Sequence, residues 1–274
     1  MGDRLLETRV GEQVRVWTLG GDRLESSYGA NCTGIAGHDA VLLVDPLIAP
    51  AHARLVEDAV RAWTDVPVRF VVLTHHHTDH ALGANWFAAR GATVVAHRTC
   101  RAAMEAEHPA LIESRRKLPA LAELFRDAEP YVPTLVLGDD EWQTDLGGAR
   151  VHVRHPGPGH TAGDLVVYCE GASVTVCGDL VSAGYHVNYE DAALDRLESG
   201  LDALRRTDTR AYVPGHGAPG GPEIVDAQLD YHRAVAEAAS GSGGPAALAS
   251  RYAGYGLEEI LPQSIAFWRE RKDA

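Results

Sequence analysis

The chain of 274 residues is poor in basic side chains, with 25 lysines and arginines against 38 aspartates and glutamates. A formal net charge of −13 opposes binding to phosphate backbones, because such binding needs clustered cations that displace counterions. The longest basic run, Arg115-Arg116-Lys117, lies in a segment dense in Glu and Leu and is typical of the solvated face of a helix. We therefore expect no nucleic-acid partner.

Long apolar runs are also absent. No window approaches the roughly 20 apolar residues of a membrane helix, and the first residues include no apolar stretch of signal-peptide length. The cysteines have no CxxC spacing, which argues against a thiolate metal site and favours buried free thiols: Cys32, Cys100, Cys169 and Cys177. We expect a cytoplasmic protein that makes no membrane contact.

Short apolar runs alternate with helical patterns along the chain. An apolar content of 45% is enough for the core of one large domain, so we expect residues 1–274 to form a single domain. The alternation predicts strands at 14–19, 41–44, 70–73, 93–96, 150–154, 165–169, 173–177 and 211–213, and helices at 50–63, 80–90 and 192–205. Two packed sheets flanked by helices satisfy this order, which gives an α+β fold.

Two further segments are expected to be helical. Residues 99–127 are rich in Ala, Glu, Leu and Arg, and Pro109 and Pro119 predict helices that are bent or separated there. This insertion either covers an active site or packs as a pair of surface helices, and the pattern is the same in both cases. The tail at about 222–274 is interrupted by a local Gly- and Ser-rich linker at 241–245.

The strongest chemical signal is the segment Thr74-His75-His76-His77-Thr78-Asp79-His80, between a buried strand and a helix. Side chains two apart in an extended segment point the same way, so His75 and His77 can bind one ion while His76 faces elsewhere. Asp79 and His80 can then serve a second ion. Imidazole with carboxylate suits zinc, and also iron or manganese.

Three more candidate ligands lie where a strand meets a loop. His160 lies in the glycine-rich loop 156–164, Asp179 in Cys177-Gly178-Asp179-Leu180, and His216 in Pro214-Gly215-His216-Gly217. Each of them alone is more typical of a turn residue beside Gly and Pro. Their joint occurrence after the histidine segment favours a metal site.

The series HxHxDH, GHTxGD, GD and PGHG, in that order over residues 31 to 217, resembles the full motif set of the metallo-β-lactamase superfamily. The resemblance implies a four-layer αββα sandwich with the site at one edge of the paired sheets. It also implies two Zn²⁺ ions, with iron or manganese as alternatives. By that resemblance one ion is bound by His75, His77 and His160, the other by Asp79, His80 and His216, and Asp179 bridges them.

The resemblance further places Asp45 behind a ligand histidine, where it would orient the ring. The alternative is an ordinary turn before Pro46. Two metals roughly 3.5–4 Å apart lower the pKa of a shared water toward about 7, which gives a metal-bound hydroxide as nucleophile. Asp79 is then expected to orient that nucleophile and accept its proton.

The loop that follows Asp179 supplies two more catalytic candidates. Tyr185 and His186 are placed to donate hydrogen bonds to a developing oxyanion or leaving group, because loops that leave a metal ligand commonly line the substrate pocket. Packing is the alternative for Tyr185 and Tyr189.

Aspartate at the bridging position together with His80 is similar to glyoxalase II, lactonases and other thioester or ester hydrolases of the superfamily, and differs from zinc β-lactamases with a cysteine there. The expected substrate is a small-molecule or carrier-protein-tethered acyl compound. A cyclase-thioesterase of aromatic polyketides, with Phe125 walling the pocket, a β-lactamase-like hydrolase and a non-hydrolytic iron relative remain alternatives. The oligomeric state is open, and a homodimer is one option.

Overall fold

Seven strands form the first sheet of the computed structural model, which describes residues 4–205, 208–241 and 244–272. The strands lie side by side in chain order: β1 (Leu6–Arg9), β2 (Val14–Thr18), β3 (Asn31–Ala36), β4 (Val41–Val44), β5 (Val68–Val72), β6 (Thr93–His97) and β7 (Leu135–Leu137). Strands β1 to β4 pair antiparallel, whereas β4 to β7 pair parallel. The parallel half places its carboxyl ends at one edge.

Five strands form the second sheet. They are β8 (Trp142–Asp145), β9 (Arg150–Arg154), β10 (Val166–Cys169), β11 (Val174–Ser182) and β12 (Ala211–His216), in the spatial order β12-β11-β10-β9-β8. Strands β11 and β12 pair parallel, and the other neighbours pair antiparallel.

Alternate residues of both sheets meet in one buried layer. Val14 and Val16 of β2 point into it from the first sheet, and Val151 and Val153 of β9 point into it from the second. Residues two apart on a strand share a face, so this alternation sends the intervening side chains outward. The two inner faces therefore form a single apolar core between the sheets.

Helices cover the outer face of each sheet. On the first sheet these are α1 (Pro50–Trp63), α3 (Ala84–Ala88) and α4 (Arg98–Arg116), and on the second α5 (Leu197–Arg205) and α6 (Pro222–Ala239). Helix α1 starts at a proline, which suits a first helical position, and buries Ala53, Val56 and Val60 at helical spacing. The four layers confirm the predicted αββα sandwich.

The predicted breaks in the 99–127 segment are only partly present. Helix α4 continues through Pro109, and residues 117–127 form turns. Proline leaves the carbonyl of Glu105 without its helical partner, but Pro109 lies on the exposed side, where water can take that bond. The buried Met104, His108 and Ile112 keep the helix against the protein. The prediction of separate helices at Pro109 was therefore wrong.

Three other boundaries differ from the sequence prediction. The helix expected at 80–90 is two short helices, α2 (Thr78–Ala81) and α3, separated by a turn. Strand β11 extends to Ser182, so Asp179 lies within the strand and not after it. The helix expected from 192 begins at Leu197.

The tail is helical, with α6 followed by α7 (Gly244–Arg251) and α8 (Leu261–Lys272). These helices pack on the segment that follows β11 through a cluster centred on Tyr189 and Tyr231. Residues 242 and 243 of the expected linker lie outside the described residues. Within the described ranges, no helix is both long and apolar enough to cross a membrane. The cysteines are buried and unpaired, as predicted.

Candidate metal centre

The predicted ligands gather at one edge of the paired sheets. The histidine segment 75–80 follows β5 and enters α2, while Asp179 lies in β11 and His216 ends β12. The side-chain amide of Asn31, at the start of β3, donates to the carbonyls of Pro214 and Gly217, at 2.9 and 2.8 Å. These bonds join the edge of the first sheet to that of the second, so ligands from both sheets face each other.

A first donor group consists of His75, His77, His160 and Asp179, whose ligand atoms lie within 4.8 Å of one another. His160 Nε2 lies 3.0 Å from His77 Nδ1 and 3.6 Å from Asp179 Oδ2. A tetrahedral site with bonds of about 2.0–2.1 Å places neighbouring donor atoms about 3.3 Å apart. The observed spacing fits donors that surround one small cation.

A second donor group consists of Asp79, His80 and His216. The Nε2 atoms of the two histidines lie 3.3 Å apart, and Asp79 Oδ2 lies 3.4 Å from each of them. Asp179 also touches this group, with Oδ1 3.3 Å from His80 Nε2 and Oδ2 3.3 Å from His216 Nε2. Asp179 therefore lies between the two donor groups, which together we call the metal centre.

Hydrogen bonds behind the ligands aim their free nitrogens at the metal centre. The hydroxyl of Thr74 donates to Asp45 Oδ2 at 2.6 Å, so its oxygen is left to accept the Nδ1–H of His75 at 2.9 Å. His75 Nε2 is then an unprotonated acceptor, and it is buried without a hydrogen-bond partner among the described residues. A buried lone pair of this kind is costly unless a ligand uses it, so the residues present fit a metal ion.

Two other ligand rings are held in the same way. His216 Nδ1 donates to the backbone carbonyl of Tyr28 at 3.0 Å, and His77 Nε2 lies 2.9 Å from Asp191 Oδ2. Acceptors of this type fix the tautomer and orientation of a metal-bound imidazole. Asp191 and Tyr28 thus support the metal centre without belonging to either donor group.

Asp45 is buried behind His80, as the superfamily resemblance implied. Its Oδ2 lies 3.0 Å from His80 Nδ1, and its Oδ1 accepts the backbone N–H of Thr74 at 2.8 Å. Asp45 adopts a left-handed backbone conformation with φ of 57°, which aspartate tolerates better than most residues. The contact with the His80 ring that the resemblance implied is present, and the turn before Pro46 positions the carboxylate.

The protonation states of Asp79, Asp179 and His160 suit a cation. Burial opposes ionisation of Asp79 and Asp179, yet the adjacent His80 and His216 lower the pKa of both carboxyls below the ordinary value. Burial lowers the pKa of His160 to about 3, which keeps that ring neutral at physiological pH. Anionic carboxylates and neutral imidazoles are the forms that bind metals. Burial opposes the charged forms of His80 and His216, yet Asp179 and Asp79 raise the pKa of His80 well above its ordinary value and that of His216 to about 9, so a bound metal would displace a proton from each of these rings.

A cavity of about 590 Å³ opens over the metal centre. His186, Val187 and Asn188 from the loop after β11 line one part of it, and Glu107 and Arg115 from α4 line another. The predicted insertion therefore contributes to the site in its helical part. Phe125, in contrast, is fully buried beneath α4 and does not line the cavity.

The two catalytic candidates in the loop have different surroundings. His186 lines the cavity, and its Nδ1 lies 2.7 Å from the hydroxyl of Tyr231. The hydroxyl of Tyr185 donates to the carbonyl of Gly21 at 2.9 Å, while its ring lies against His216 with 5.4 Å between centroids. Tyr185 thus packs behind a ligand, and the catalytic roles of both residues stay predictions.

The match to known families agrees with this geometry. A family model described as the metallo-beta-lactamase superfamily matches residues 28–216, which include all seven predicted ligands. The chain belongs to the metallo-beta-lactamase superfamily. Members of this superfamily are mostly metal-dependent hydrolases.

Solved structures of the superfamily share the fold. A metallo-beta-lactamase from Pontibacter korlensis superposes with a TM-score of 0.69 at 20% identity, covering 84% of this chain and 99% of the other. The DIM-1 metallo-beta-lactamase exposed to ceftazidime gives 0.64 at 17% identity, with 84% and 97% covered. Identities this low support the architecture alone.

Two curated relatives have different reactions in their names. The alpha subunit of 2,4-dinitroanisole O-demethylase from Nocardioides sp. is 27% identical over 207 residues, which is 74% of this chain and 55% of that subunit. A hydroxyacylglutathione hydrolase from Acidiphilium cryptum is 30% identical over 175 residues, or 64% of this chain and 58% of the enzyme. The chain thus matches little more than half the length of either relative.

Several residues around the metal centre of this superfamily member were not found by sequence reasoning. Asp191 and Tyr28 reach the ligands from distant segments that carry no metal-binding pattern. Arg115 was expected on a solvated helix face, yet it lines the cavity and is half-buried. That expectation was wrong for Arg115, because the side of α4 that carries it turns toward the metal centre.

Proposed function

We propose that this protein is a dinuclear metal-dependent hydrolase that cleaves a thioester, an ester or a lactone. The observation that carries the proposal is the position of Asp179, whose two carboxylate oxygens lie within 3.3 Å of His80 and His216 while Oδ2 also lies 3.6 Å from His160. A carboxylate shared by two donor groups is suited to bridging two ions.

Each donor group would hold one divalent ion, zinc being the best match to a set of imidazoles and carboxylates. His75, His77 and His160 would bind the first ion, and Asp79, His80 and His216 the second. Bound there, the pair would lower the pKa of a water toward about 7 and polarise the carbonyl of the substrate. His76 contributes to neither group, because its Nε2 lies 3.5 Å from Asp191 and 3.6 Å from Glu107.

Asp79 is the residue of the chain best placed to orient the attacking water. Its carboxylate lines the cavity and is ionised at neutral pH, because His80 and His216 overcome the effect of burial and lower its pKa. An anionic oxygen beside the reacting carbonyl can accept a hydrogen bond from water and fix the direction of its lone pair.

His186 is proposed to donate a hydrogen bond to the oxyanion or leaving group. Burial raises the pKa of the Tyr231 hydroxyl, which therefore keeps its hydrogen and can donate it to His186 Nδ1 at 2.7 Å. Burial lowers the pKa of His186, so the ring is neutral and its remaining proton is on Nε2. An N–H donor in the wall of the cavity can stabilise developing negative charge.

The cavity and one of the two relatives support this proposed substrate class. A volume of about 590 Å³ is in the range of small-molecule sites, and Leu111, Leu257 and Ile260 give it apolar surface for an acyl chain. Hydrolysis of an acyl compound is also the reaction named for the hydroxyacylglutathione hydrolase relative. A small acyl thioester is thus the first substrate to test, and a carrier-tethered acyl group is the second.

The experiment is a hydrolysis screen of zinc-reconstituted protein against thioesters, lactones, β-lactams and carrier-tethered polyketides, together with metal analysis. We expect two zinc ions per chain and turnover of a thioester, an ester or a lactone, which the variant Asp79→Asn should lose. Lys117→Met, on the exposed end of α4, is the matched control and should keep full activity. One iron per chain with oxygen consumption and no hydrolysis would refute the proposal.

A further inference from the structure

Helix α4 turns one line of side chains toward the cavity. Glu107, His108, Leu111 and Arg115 all line it, and the last three are spaced about one helical turn apart. Arg115 is the last of them, and it interacts electrostatically with Tyr28 and Asp79. A guanidinium group thus faces the cavity on the side of the second donor group.

The other cations of α4 and its C-terminal end are neutralised by acidic partners. Arg101 Nε lies 3.0 Å from Glu105, and Lys117 Nζ lies 3.2 Å from Glu113, each across one helical turn. Arg116 is bonded to Glu129 at 2.8 Å and to the backbone carbonyls of Phe125 and Ala128. Arg116 therefore holds the turns that follow the helix.

Arg115 has neither kind of partner. Within the described part of the chain its guanidinium makes no ion pair and no hydrogen bond, and its Nη1 is buried without an acceptor. Burial lowers the pKa of Arg115 even though Tyr28 and Asp79 oppose that shift. A buried guanidinium normally has a carboxylate or phosphate partner, so this one has donors free for a ligand.

The guanidinium is also held in place. Its central carbon lies 5.2 Å from the centroid of the Phe125 ring, which is itself fully buried. Packing against an aromatic ring restricts the orientation of the guanidinium plane and leaves its edge free for a ligand. Phe125 thus restricts the movement of a guanidinium group that lines the cavity.

We propose that Arg115 binds a carboxylate on the acyl part of the substrate, so that the preferred substrates are acyl compounds with a second, terminal carboxylate. This inference rests on the proposed hydrolase function. The planar guanidinium fork matches a carboxylate with two parallel hydrogen bonds.

A phosphate is a poorer match for this position. Among the described residues that line the cavity, Arg115 is the only lysine or arginine, whereas Glu107, Glu190, Asp191 and Glu259 are acidic. A dianion would meet that negative surface with a single cation to offset it. A monoanionic carboxylate needs only the single guanidinium group of Arg115. The acidic residues near Asp191 would repel the charged end of the substrate and so favour its binding at Arg115.

The test measures binding without turnover. Glutarate and its monoamide, glutaramate, each offer one carboxylate to the metal centre and differ only in the second terminal group. Titration calorimetry with zinc-loaded protein should give about 10- to 100-fold tighter binding of glutarate, the range for a charge-assisted hydrogen-bonded pair. Arg115→Met should abolish this preference, and Lys117→Met should leave it unchanged.

The outcomes separate this inference from the proposed function. Equal binding of the two ligands by the natural protein, or a preference that survives in Arg115→Met, would overturn the role of Arg115 even if thioesters are hydrolysed. A preference that depends on Arg115 without turnover of any acyl substrate would support the role of Arg115 and reject the hydrolase. Circular dichroism and zinc content of both variants check folding, and Arg115→Lys, which keeps the charge without the fork, should retain only part of the preference.

Discussion

Replacement of Asp45 by asparagine tests whether the metal centre depends on the tautomer of a ligand ring. Asp45 accepts three hydrogen bonds, from the backbone N–H and the hydroxyl of Thr74 and from His80 Nδ1. Asparagine has the same shape and also tolerates the left-handed backbone at this position. The substitution therefore changes hydrogen bonding and charge with little effect on the backbone.

The amide introduced by Asp45→Asn cannot satisfy all three donors. If its oxygen accepts the backbone N–H of Thr74, its NH₂ group faces the Thr74 hydroxyl and His80 Nδ1–H. The ring then avoids the clash by moving its proton to Nε2, the atom that lies 3.3 Å from His216 Nε2 in the second donor group. A protonated Nε2 cannot bind metal.

The expected loss is about 10- to 100-fold in affinity for one of the two zinc ions, or about 1.4 to 2.7 kcal/mol. Competition with a fluorescent chelator, ion by ion, measures this loss of affinity. Asp58→Asn, on the exposed face of α1, is the control and should bind zinc as the natural protein does. Two zinc ions bound with unchanged affinity by Asp45→Asn would refute this account of Asp45.

Three further predictions concern the metal centre and the buried His232 of α6. Asp179→Ala should lose at least one zinc ion and most activity, whereas His76→Ala should keep both metals. Full metal content of the Asp179 variant, measured by mass spectrometry of the metals, would contradict the bridging assignment. Gly215→Ala should lower zinc content, because its Cβ would overlap Asp179 Oδ1; Gly11→Ala, where a Cβ meets no atom within 4 Å, should not. Burial lowers the pKa of His232 from 6.5 to about 3, so between pH 3 and pH 6.5 the unfolded chain binds one more proton than the folded chain. The free energy of unfolding therefore falls as the pH drops below about 6.5, by up to about 1.4 kcal/mol per pH unit. In urea unfolding at pH 8, 6 and 5, the free energy of unfolding of His232→Asn should fall less steeply with decreasing pH than that of the natural protein. An equally steep fall in both proteins would contradict this effect of His232.

The candidate ligands could be selected from the sequence because each lies in a short motif within or next to a strand. His75, His77 and His80 share one heptapeptide, and Asp179 and His216 each stand beside glycine. Gly215 explains part of that pattern, since no larger residue fits against the Asp179 carboxylate. Local sequence therefore identifies the candidate ligands, and the fold brings their segments together.

The walls of the cavity could not be predicted in this way. Asp191 reaches His77 across 114 positions of the chain, and Tyr28 reaches His216 across 188. Arg115 belongs to the basic run 115–117, whose charged neighbours predict a solvent-exposed helix face. Only the packing of α4 shows that Arg115, among these three residues, lines the cavity. Strands β3 and β8 were missed for a related reason, because Asn31–Ala36 includes Asn and Gly and Trp142–Asp145 is half exposed, so neither has a continuous apolar run.

Substrate preference can change without loss of the metal centre, because the ligands and the cavity walls belong to different elements. The candidate ligands come from strands β11 and β12, from the segment that runs from β5 into α2 and from the loop before β10, and buried acceptors such as Asp45 orient them. Arg115 and His186, in contrast, belong to α4 and to the loop after β11. Replacing Arg115 removes no hydrogen bond or ion pair to a strand or a candidate ligand within the described residues, and Arg116 still bonds α4 to the turns that follow it. Substitutions on the inner side of α4 should therefore alter which acyl group is bound while zinc content stays constant, whereas substitutions at Asp45 should do the reverse.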